Sequence, residues 1–280
     1  MTLIVCCSGF LGFVGLKSLR LCKNISVKTV LTDKESVAIV EYCKLVGIPL
    51  LLGNPRKKNF VKELSPCDVL FSINYLFILP RSIYGLAKKL ACNIHGSLLP
   101  KYMGRTPNTW VIIHDEVETG ITVHEIVADC DSGPIVYQEK IKISNVDTAG
   151  SLTNKMARRY PVILRKIIKN IQRGKIIKRR QDLEKRIYCG KRDSEDGLIN
   201  WNWSSRRVYN WVRAQTKPYP GAFFYFRGKK YILWWVNQIQ QDFSDKGMKK
   251  GVPYFYNQKM YIKAGQGVLE VVDYEICQVK

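Results

Sequence analysis

Two polar side chains that suit group-transfer chemistry stand two residues apart in the stretch CNIHGSLLP, residues 92–100. In an extended strand, side chains two positions apart point to the same side, so Asn93 and His95 share one face while Ile94 points to the core. A lone amide and imidazole can equally be a structural hydrogen-bonded pair. A catalytic interpretation therefore needs a third group nearby.

The third group is Asp131 in the stretch DCDSGP, where Gly133 and Pro134 predict a turn. An amide, an imidazole and a carboxylate suit acyl transfer to an amine. The Asn93 amide would stabilise the negative oxygen of a tetrahedral intermediate, and His95 would move a proton near neutral pH with Asp131 as its partner. The stretch HGSLLP lacks the G-x-S-x-G pattern of a serine nucleophile, so we expect direct transfer without a covalent enzyme intermediate.

The elements that must position these groups alternate between strands and helices. Short runs rich in Val, Ile and Leu predict strands at 3–7, 26–31, 48–52, 67–73 and 91–94. Segments with helical spacing of apolar residues lie between them, at 11–21, 33–46 and 80–90. This alternation predicts an α/β fold with a Rossmann-like, mostly parallel sheet and helices on both faces, in which ligands bind outside the carboxyl ends of the strands.

The second half of the chain predicts a change of architecture. Two further strands, at about 119–127 and 135–143, precede a long helix that begins near Thr148. Beyond these elements the sequence becomes rich in Trp, Tyr and Gly with frequent turns, which indicates short strands. We therefore predict a catalytic domain at residues 1–190 and a smaller β-rich C-terminal domain at residues 191–280.

The glycines that follow the first strand raise the question of a dinucleotide site. Gly9, Gly12 and Gly15 form G-x-x-G-x-x-G instead of G-x-G-x-x-G, and Leu11 stands where a glycine would let the backbone approach a pyrophosphate. We interpret the loop as a tight strand-to-helix turn that lines a substrate cleft. That interpretation makes three loop residues candidate substrate-binding residues: Ser8, Gly9 and Phe10.

The chain carries a formal net charge of +22 at pH 7, and its cations are concentrated in one segment. Residues 151–192 contain fifteen Lys or Arg against only Asp182 and Glu184. Such a block attracts polyanions, so RNA, an anionic membrane and a phosphorylated substrate are all candidate partners. The alternative is a solvent-facing side of the long helix that has no partner.

The sequence also predicts where the protein resides. No run of about 18 apolar residues predicts a membrane span, and the apolar start MTLIVCC continues into glycines and not into a cleavage site. Nine scattered cysteines without a C-x-x-C pair are typical of reduced thiols in a cytosolic protein. We therefore predict a cytoplasmic protein and no metal site.

The motifs around the candidate triad resemble those of a known enzyme family. NIHGSLLPKYMGRTP at 93–107 and ETGITVHEIVADCDSGPIVYQEKIKI at 118–143 are similar to the 10-formyltetrahydrofolate-dependent formyltransferases, whose pattern is Asn-x-His-x-Ser-Leu-Leu-Pro with a later Asp-x-Gly. The similarity also includes LFSINYLFILP at 70–80 and TKPYPGAFFYF at 216–226. The resemblance therefore covers most of the chain.

The resemblance implies which residues act on and bind the substrates. Asn93, His95 and Asp131 fall on the family's catalytic positions, and 10-formyltetrahydrofolate is the implied co-substrate, with no metal. The implied folate contacts are Phe77, Ile78, Leu79, Arg105, Val127, Ala128, Asp129 and Cys130. An apolar slot for the planar pterin and a cation for the anionic tail suit this assignment. Lys217 and Tyr219 are expected to bind the acceptor.

Two acceptor classes occur in the family that the chain resembles. Enzymes that formylate initiator methionyl-tRNA carry a basic insertion after the second strand and a fuller C-terminal domain, whereas VLTDKESVAIVEY here leads directly from strand to helix. The segment 95–127 is most similar to bacterial nucleotide-sugar formyltransferases. We predict a nucleotide-linked amino sugar for surface polysaccharide (O-antigen) synthesis, with dTDP-4-amino-4,6-dideoxyglucose favoured over a 3-amino isomer or a UDP sugar. Methionyl-tRNA is the alternative acceptor.

The remaining predictions concern partners and the other two histidines. On the amino-sugar interpretation we expect no nucleic acid partner. We expect a homodimer, because an aromatic C-terminal domain offers the kind of apolar surface that marks interfaces. His114 on a helix and His124 on a strand are predicted to be dispensable for catalysis.

Overall fold

The structure, a computed structural model, describes residues 1–240 and 247–278. Its first eight strands are β1 Thr2–Cys7, β2 Ser26–Thr32, β3 Leu50–Leu52, β4 Cys67–Ile73, β5 Ala87–His95, β6 Met103–Gly104, β7 Glu118–Glu125 and β8 Ile135–Lys142. Seven of them form one sheet in the order β3-β2-β1-β4-β5-β7-β8. The pairs from β3 to β5 are parallel, and β7 runs antiparallel to β5.

Helices cover both faces of this sheet. The helices of the part of the chain that the structure describes are α1 Gly9–Arg20, α2 Val37–Leu45, α3 Arg81–Tyr84, α4 Pro107–Ile113, α5 Ala149–Gln172 and α6 Ser205–Arg213. Of these, α1, α2, α3 and α5 pack against this sheet. On one face, α1, α2 and α5 bury side chains such as Leu16, Ile39 and Ile163 in a single core. On the other face, Phe60 and Ile83 pack in a second core. Because strand side chains alternate between faces, β1, β2, β4 and β5 contribute buried residues to both cores.

One predicted helix is wrong in most of its length. The segment 80–90 is helical only at Arg81–Tyr84, and β5 already begins at Ala87. Lys88 and Lys89 lie on this strand and are exposed. The reason is tertiary, because β5 pairs with β4 from its first residue and this pairing overrides a short local pattern.

The longest helix, α5, begins where the sequence predicts it. The hydroxyl of Thr148 accepts a hydrogen bond from the backbone N–H of Ser151 at 3.0 Å, which caps the first turn. The buried side of α5 includes Met156 and Ile167. Within residues 1–240 and 247–278, no helix combines the length and apolarity that crossing a bilayer requires.

A second sheet follows in the C-terminal region. The later strands are β9 Tyr188–Cys189, β10 Ala222–Phe226, β11 Lys229–Ile239, β12 Pro253–Tyr256, β13 Lys259–Lys263 and β14 Val268–Gln278. Five of them form an antiparallel sheet in the order β10-β11-β14-β13-β12. Val208 and Val212 of α6 pack with Leu233 and Ile262 of this sheet. The predicted fold class, a mostly parallel α/β sheet followed by a β-rich region, is confirmed.

The chain forms two compact units. The first comprises residues 1–104, 120–141 and 153–188, and the second comprises residues 105–119, 142–152 and the described residues from 189 onward. Within the second unit, the backbone N–H of Ile143 donates to the carbonyl of Val117 at 2.9 Å. The proposed domain division at residue 190 stays a prediction.

Candidate active site

Strand β5 places Asn93 and His95 on one face of the first sheet. Ile94, between them, packs into the core on the opposite face together with α1 and α5. The antiparallel pairing of β5 with β7 sets Asn93 opposite His124 and His95 opposite Thr122. Directly paired residues project to the same side of a sheet. Polar side chains of two neighbouring strands therefore meet on this face.

The loop between β7 and β8 brings a carboxylate to the same place. Asp131 adopts a left-handed φ of 55°, and its Oδ2 accepts a hydrogen bond from the backbone N–H of Gly104 at 2.8 Å. The side-chain amide of Gln181 donates to the carbonyl oxygens of Asp131 and Gly133, both at 2.7 Å. Segments distant in sequence therefore hold the loop in position.

The three side chains singled out in the sequence form one cluster. Nδ2 of Asn93 lies 3.4 Å from Oδ1 of Asp131, and Nδ1 of His95 lies 3.6 Å from Oδ2 of the same carboxylate. His95 and Asp131 are buried. The cluster can donate a hydrogen bond, accept a proton and stabilise the resulting cation. The structure thus brings the three groups together, and their catalytic roles stay predictions.

The hydrogen bonds of His95 indicate which of its nitrogens accepts a proton. Nε2 lies 2.7 Å from the carbonyl oxygen of Tyr102, to which it donates. Nδ1, which faces Asp131, is therefore unprotonated in the neutral ring. Burial lowers the pKa of His95, and the carboxylate of Asp131 and the carbonyl of Tyr102 only partly oppose this effect. We conclude that His95 is neutral at neutral pH.

The carboxylate of Asp131 is ionised at neutral pH. Burial alone would raise the pKa of Asp131, because it disfavours the charged form. The positive charge that His95 carries in acid, the nearby ring of His124 and the hydrogen bond from the backbone N–H of Gly104 outweigh burial and hold the pKa of Asp131 well below its usual range. The cluster therefore pairs a fixed negative charge with a neutral base.

His124 belongs to the same cluster, although its sequence position suggested a dispensable residue. Its Nε2 lies 3.2 Å from Nδ2 of Asn93 and 3.4 Å from Oδ1 of Asp131. Its Nδ1 lies 3.0 Å from the carbonyl oxygen of Glu125, to which it donates. In that tautomer Nε2 accepts a hydrogen bond from the Asn93 amide. This placement argues against the predicted dispensability of His124.

Comparison with known proteins decides the family. A sequence model described as "Formyl transferase" matches residues 26–168, and a model described as "Formyl transferase, C-terminal domain" matches residues 191–278. The first match alone spans more than half of the chain. The chain belongs to the formyl transferase family. It is an N-formyltransferase, as the sequence resemblance implied.

Solved structures share the fold of this formyltransferase. An N-formyltransferase from Helicobacter canadensis, solved with folinic acid and dTDP-3-aminofucose, is 19% identical over 98% of this chain and 99% of its own, with a TM-score of 0.75. A 4-N formyltransferase from Francisella tularensis is 21% identical over 81% of this chain and 93% of its own, with a TM-score of 0.69. A methionyl-tRNA formyltransferase from Clostridium thermocellum is 15% identical over both full chains, with a TM-score of 0.62.

The residues predicted to bind the folate occupy different environments in the formyltransferase. Ile78 is exposed, and Phe77 is half-buried with its ring edge-on to Tyr75 at 5.4 Å between centroids. Leu79 is buried in the core, so its side chain supports the fold. The residues at 127–130 are exposed and lead directly to Asp131. The exposed members are available to a ligand, and their role stays a prediction.

The loop after β1 is fixed by hydrogen bonds. Gly9 has a left-handed φ of 59°, and its backbone N–H donates to Oγ of Ser36 at 2.9 Å. That hydroxyl donates in turn to Oδ2 of Asp33 at 2.8 Å. Ser8 is buried, whereas Phe10 is 54% exposed. Of the three candidate substrate-binding residues, Phe10 therefore has the most accessible side chain.

Three other predicted binding residues lie in the second unit. Arg105 and Lys217 are exposed, and Tyr219 is half-buried. Nζ of Lys217 lies 4.9 Å from the centre of the Trp234 ring. Their substrate contacts stay predictions.

Among the residues that the structure describes, no group of three His, Cys, Asp or Glu side chains is arranged to hold a metal ion.

The protonation of His95 predicts the acid limb of the pH profile. The predicted role of His95 as the base needs a neutral imidazole. We therefore expect kcat/KM to rise with pH through an apparent pKa below 6.5, the ordinary value for histidine, because burial lowers the pKa of His95. The measurement is kcat/KM against pH, with an NMR titration of the His95 ring beside it. An acid limb that lies above 6.5 would contradict this assignment of the base.

Substitution of His124 will test whether it positions Asn93. His124→Leu removes the acceptor of a partly buried hydrogen bond worth about 1–1.5 kcal/mol, so we expect roughly a tenfold loss of kcat at similar KM. His124→Gln can accept the Asn93 N–H through its amide oxygen and should recover part of the loss. His114→Gln, on an exposed side chain that follows α4, is the matched control and should retain wild-type kinetics. Equal kcat in all three variants would show that His124 is dispensable for catalysis, as its sequence position suggested.

Gly133 is predicted to be intolerant of any side chain. A Cβ at this position would overlap the carbonyl oxygen of Glu125, which is backbone and cannot turn away. We expect Gly133→Ala to cost about 1–3 kcal/mol in the free energy of unfolding and to lower kcat by displacing Asp131. Gly190→Ala is the control, because its Cβ would meet open space. Thermal or urea unfolding measures the difference, and equal stability of the two variants would show that the loop can adjust.

Proposed function

We propose that this formyltransferase moves the formyl group of 10-formyltetrahydrofolate onto the amine of a nucleotide-linked amino sugar. The observation that supports the proposal is the cluster of half-buried Asn93 with buried His95 and Asp131. An amine that attacks a formyl carbonyl needs a donor for the developing oxyanion, an acceptor for its own proton and a charge that stabilises the protonated acceptor. The cluster supplies one group for each of these needs.

The mechanism follows from the orientation of the three groups. The amine attacks the formyl carbon while Nδ2 of Asn93 turns from its long 3.4 Å contact with Asp131 to the oxyanion. The amine proton passes to Nδ1 of His95, and the carboxylate 3.6 Å away stabilises the imidazolium. When the intermediate collapses, the bond from carbon to the folate nitrogen breaks and that nitrogen receives the proton. The products are tetrahydrofolate and a formamide on the acceptor.

No bond between the formyl group and the enzyme forms in this sequence of steps. The formyl group passes directly from the folate nitrogen to the acceptor amine. The cluster of Asn93, His95 and Asp131 contains no serine or cysteine nucleophile. We therefore expect no burst phase in rapid kinetics. Detection of a formyl group covalently attached to the protein would refute direct transfer.

The folate is proposed to lie beside the loop that carries Asp131. Exposed Ile78, half-buried Phe77 and the residues at 127–130 would contact the pterin, and Arg105 would pair with the anionic tail. The folinic acid named with the Helicobacter canadensis structure supports a folate as co-substrate. Ser8, Gly9, Phe10, Lys217 and Tyr219 are proposed to bind the acceptor.

An amino-sugar acceptor is supported by the connection after β2 and by the relatives. Only four residues separate the end of β2 at Thr32 from the start of α2 at Val37, so this position holds no insertion. The Helicobacter canadensis structure is named with dTDP-3-aminofucose, and the Francisella tularensis structure is named as a 4-N formyltransferase. We favour dTDP-4-amino-4,6-dideoxyglucose, with a product destined for surface polysaccharide such as O-antigen. We further propose that the enzyme works in the cytoplasm as a homodimer.

Methionyl-tRNA is the second candidate acceptor. The fold similarity to the Clostridium thermocellum methionyl-tRNA formyltransferase extends over both full chains, and the segment 151–192 is strongly basic. Both observations are compatible with an RNA substrate. The experiment must therefore offer both acceptor classes to the same enzyme.

A mass-spectrometric screen will test the proposed function. The enzyme is incubated with 10-formyltetrahydrofolate and, separately, with dTDP- and UDP-linked sugars that carry a 3-amino or a 4-amino group, and with initiator methionyl-tRNA. We expect one dTDP-amino sugar to gain the mass of a formyl group in stoichiometric balance with tetrahydrofolate. Formylation of methionyl-tRNA alone would establish the second candidate. Folate binding without formylation of any amine would overturn the proposed function.

A further inference from the structure

One side of the first unit carries many exposed cations, and we call this side the basic face. It is the outer side of α1, α2 and α5, the three helices that share one core against the sheet. Neither α1 nor α5 contains an acidic residue, and α2 contributes Glu41. The exposed cations of the basic face are Lys17, Arg20, Lys44, Arg158, Arg165, Lys169 and Arg173.

Three cations of α5, together with Arg173 directly after it, lie along one stripe. Arg158, Arg165, Lys169 and Arg173 recur at intervals of seven and four residues, which are the intervals of one helix side. Within the described ranges, none of these four forms an ion pair, whereas the neighbouring Arg159 is bound to Glu139. The stripe therefore presents uncompensated positive charge to the surroundings.

The basic face lies on the other side of the sheet from the catalytic side chains. Cys92 and Ile94 of β5 point into the core beneath α1, α2 and α5. Asn93 and His95 alternate with them and point to the opposite face. The helix stripe and the active-site cluster are thus separated by the thickness of the sheet. Attraction of a substrate into the site does not account for cations on this side.

Large apolar side chains protrude among these cations. Leu21 directly follows α1 and is 83% exposed, and Leu45 ends α2 and is 84% exposed. Val162, on the α5 stripe, is 49% exposed. The end of α5 reaches the same region as the end of α1, because Nε2 of Gln172 donates to the carbonyl of Lys23 at 3.3 Å. α1 and α2 follow parallel neighbouring strands and therefore end at the same edge of the sheet. Cations and protruding leucines thus lie at one end of the basic face.

We propose that the basic face binds the surface of an anionic lipid bilayer. Lys and Arg near an anionic leaflet are attracted by its surface potential, at about 1 kcal/mol per cation. Protruding leucines stabilise the bound state further, because their apolar side chains enter the boundary between headgroups and acyl chains. RNA would use the cations but offers no apolar phase to the leucines. Binding through this face leaves the opposite side of the sheet, with Asn93 and His95, turned away from the lipid.

Vesicle sedimentation of the full-length protein will test the proposal. The probes are phosphatidylcholine vesicles with and without phosphatidylglycerol, and a parallel filter-binding assay uses tRNA. The cation variant combines Arg165→Gln, Lys169→Gln and Arg173→Gln, and the apolar variant combines Leu21→Ser and Leu45→Ser. The matched control removes three exposed cations of the second unit: Arg227→Gln, Lys229→Gln and Lys249→Gln. Circular dichroism and thermal unfolding establish that each variant is folded.

We expect the wild-type protein and the matched control to sediment with the anionic vesicles and not with the neutral ones. The cation variant should bind about 100-fold more weakly, from three interactions of about 1 kcal/mol each. The apolar variant should also lose vesicle affinity while its tRNA binding is unchanged. Absence of sedimentation with anionic vesicles, or equal losses in the cation variant and the matched control, would overturn the proposal. Tight, salt-resistant tRNA binding that only the cation variant loses, without vesicle binding, would identify the face as an RNA surface instead.

Discussion

Replacement of Asp131 by asparagine will lower kcat for formyl transfer by about 10²–10⁴-fold, with a smaller change in KM. In the proposed mechanism the carboxylate, which lies 3.6 Å from Nδ1 of His95, stabilises the imidazolium that forms when the amine loses its proton. Asparagine has nearly the same size and still offers an oxygen to the backbone N–H of Gly104, so the loop can keep its place. The loss of rate therefore reports the loss of charge.

Steady-state kinetics with the acceptor found in the screen measures this effect. Asp182→Asn is the matched control, because Asp182 is exposed and its partner is Lys185 on the surface at 2.8 Å. An NMR titration of Asp131→Asn adds an independent readout. The charge of Asp131 raises the pKa of His95 against burial, so the pKa should fall further in the variant. Wild-type kcat in Asp131→Asn would remove the carboxylate from the mechanism.

The parallel part of the fold is predictable from the sequence because its strands are buried on both faces. Such strands are almost continuously apolar, as in residues 67–73, and they stand out from the amphipathic helices between them. The boundary before β5 is not predictable in this way. Lys88 and Lys89 lie at the start of the strand, where exposure makes them resemble the polar side of a helix.

The proximity of Asn93, His95 and Asp131 was predictable, whereas the part played by His124 was not. Asn93 and His95 share a strand, so their common face follows from the alternation of side chains. His124 meets Asn93 only because β7 runs antiparallel to β5 in a register that sets the two residues opposite each other. No spacing within β7 reveals this register. The same holds for Gln181, which reaches the Asp131 loop from fifty residues farther along the chain.

The sequence also does not predict that residues 105–119 and 142–152 belong to the same compact unit as the C-terminal region. Arg213 of α6 is almost fully buried and donates to the carbonyl oxygens of Asp147 at 2.6 Å and Ser144 at 3.3 Å. Burial lowers the pKa of Arg213, which is nevertheless surrounded by acceptors. These bonds draw residues 142–152 into the second unit. The change of composition near residue 190 does not indicate that Arg213, beyond it, contacts residues 144 and 147, before it.

Replacement of Asn93 by alanine will lower kcat by about 10²–10³-fold, the typical loss when one oxyanion donor is removed. KM should change little, because the oxyanion is present only in the transition state and its intermediate. Asn154→Ala, at an exposed position of α5, is the matched control and should retain wild-type kinetics. Wild-type kcat, or a rise in KM alone, would mean that Asn93 serves binding or structure and not the oxyanion.

A double variant distinguishes a cooperating cluster from two separate contributions. Nδ2 of Asn93 lies 3.4 Å from Oδ1 of Asp131. In the proposed mechanism both residues act on the same intermediate, Asn93 on its oxygen and Asp131 through His95. Residues that act as a unit are strongly non-additive, so Asn93→Ala combined with Asp131→Asn should cost little more than the worse single variant. Folate affinity measured by equilibrium binding should be similar in all three proteins. Full additivity of the two losses would show that the amide and the carboxylate act in different steps, and the shared-intermediate mechanism would then fail.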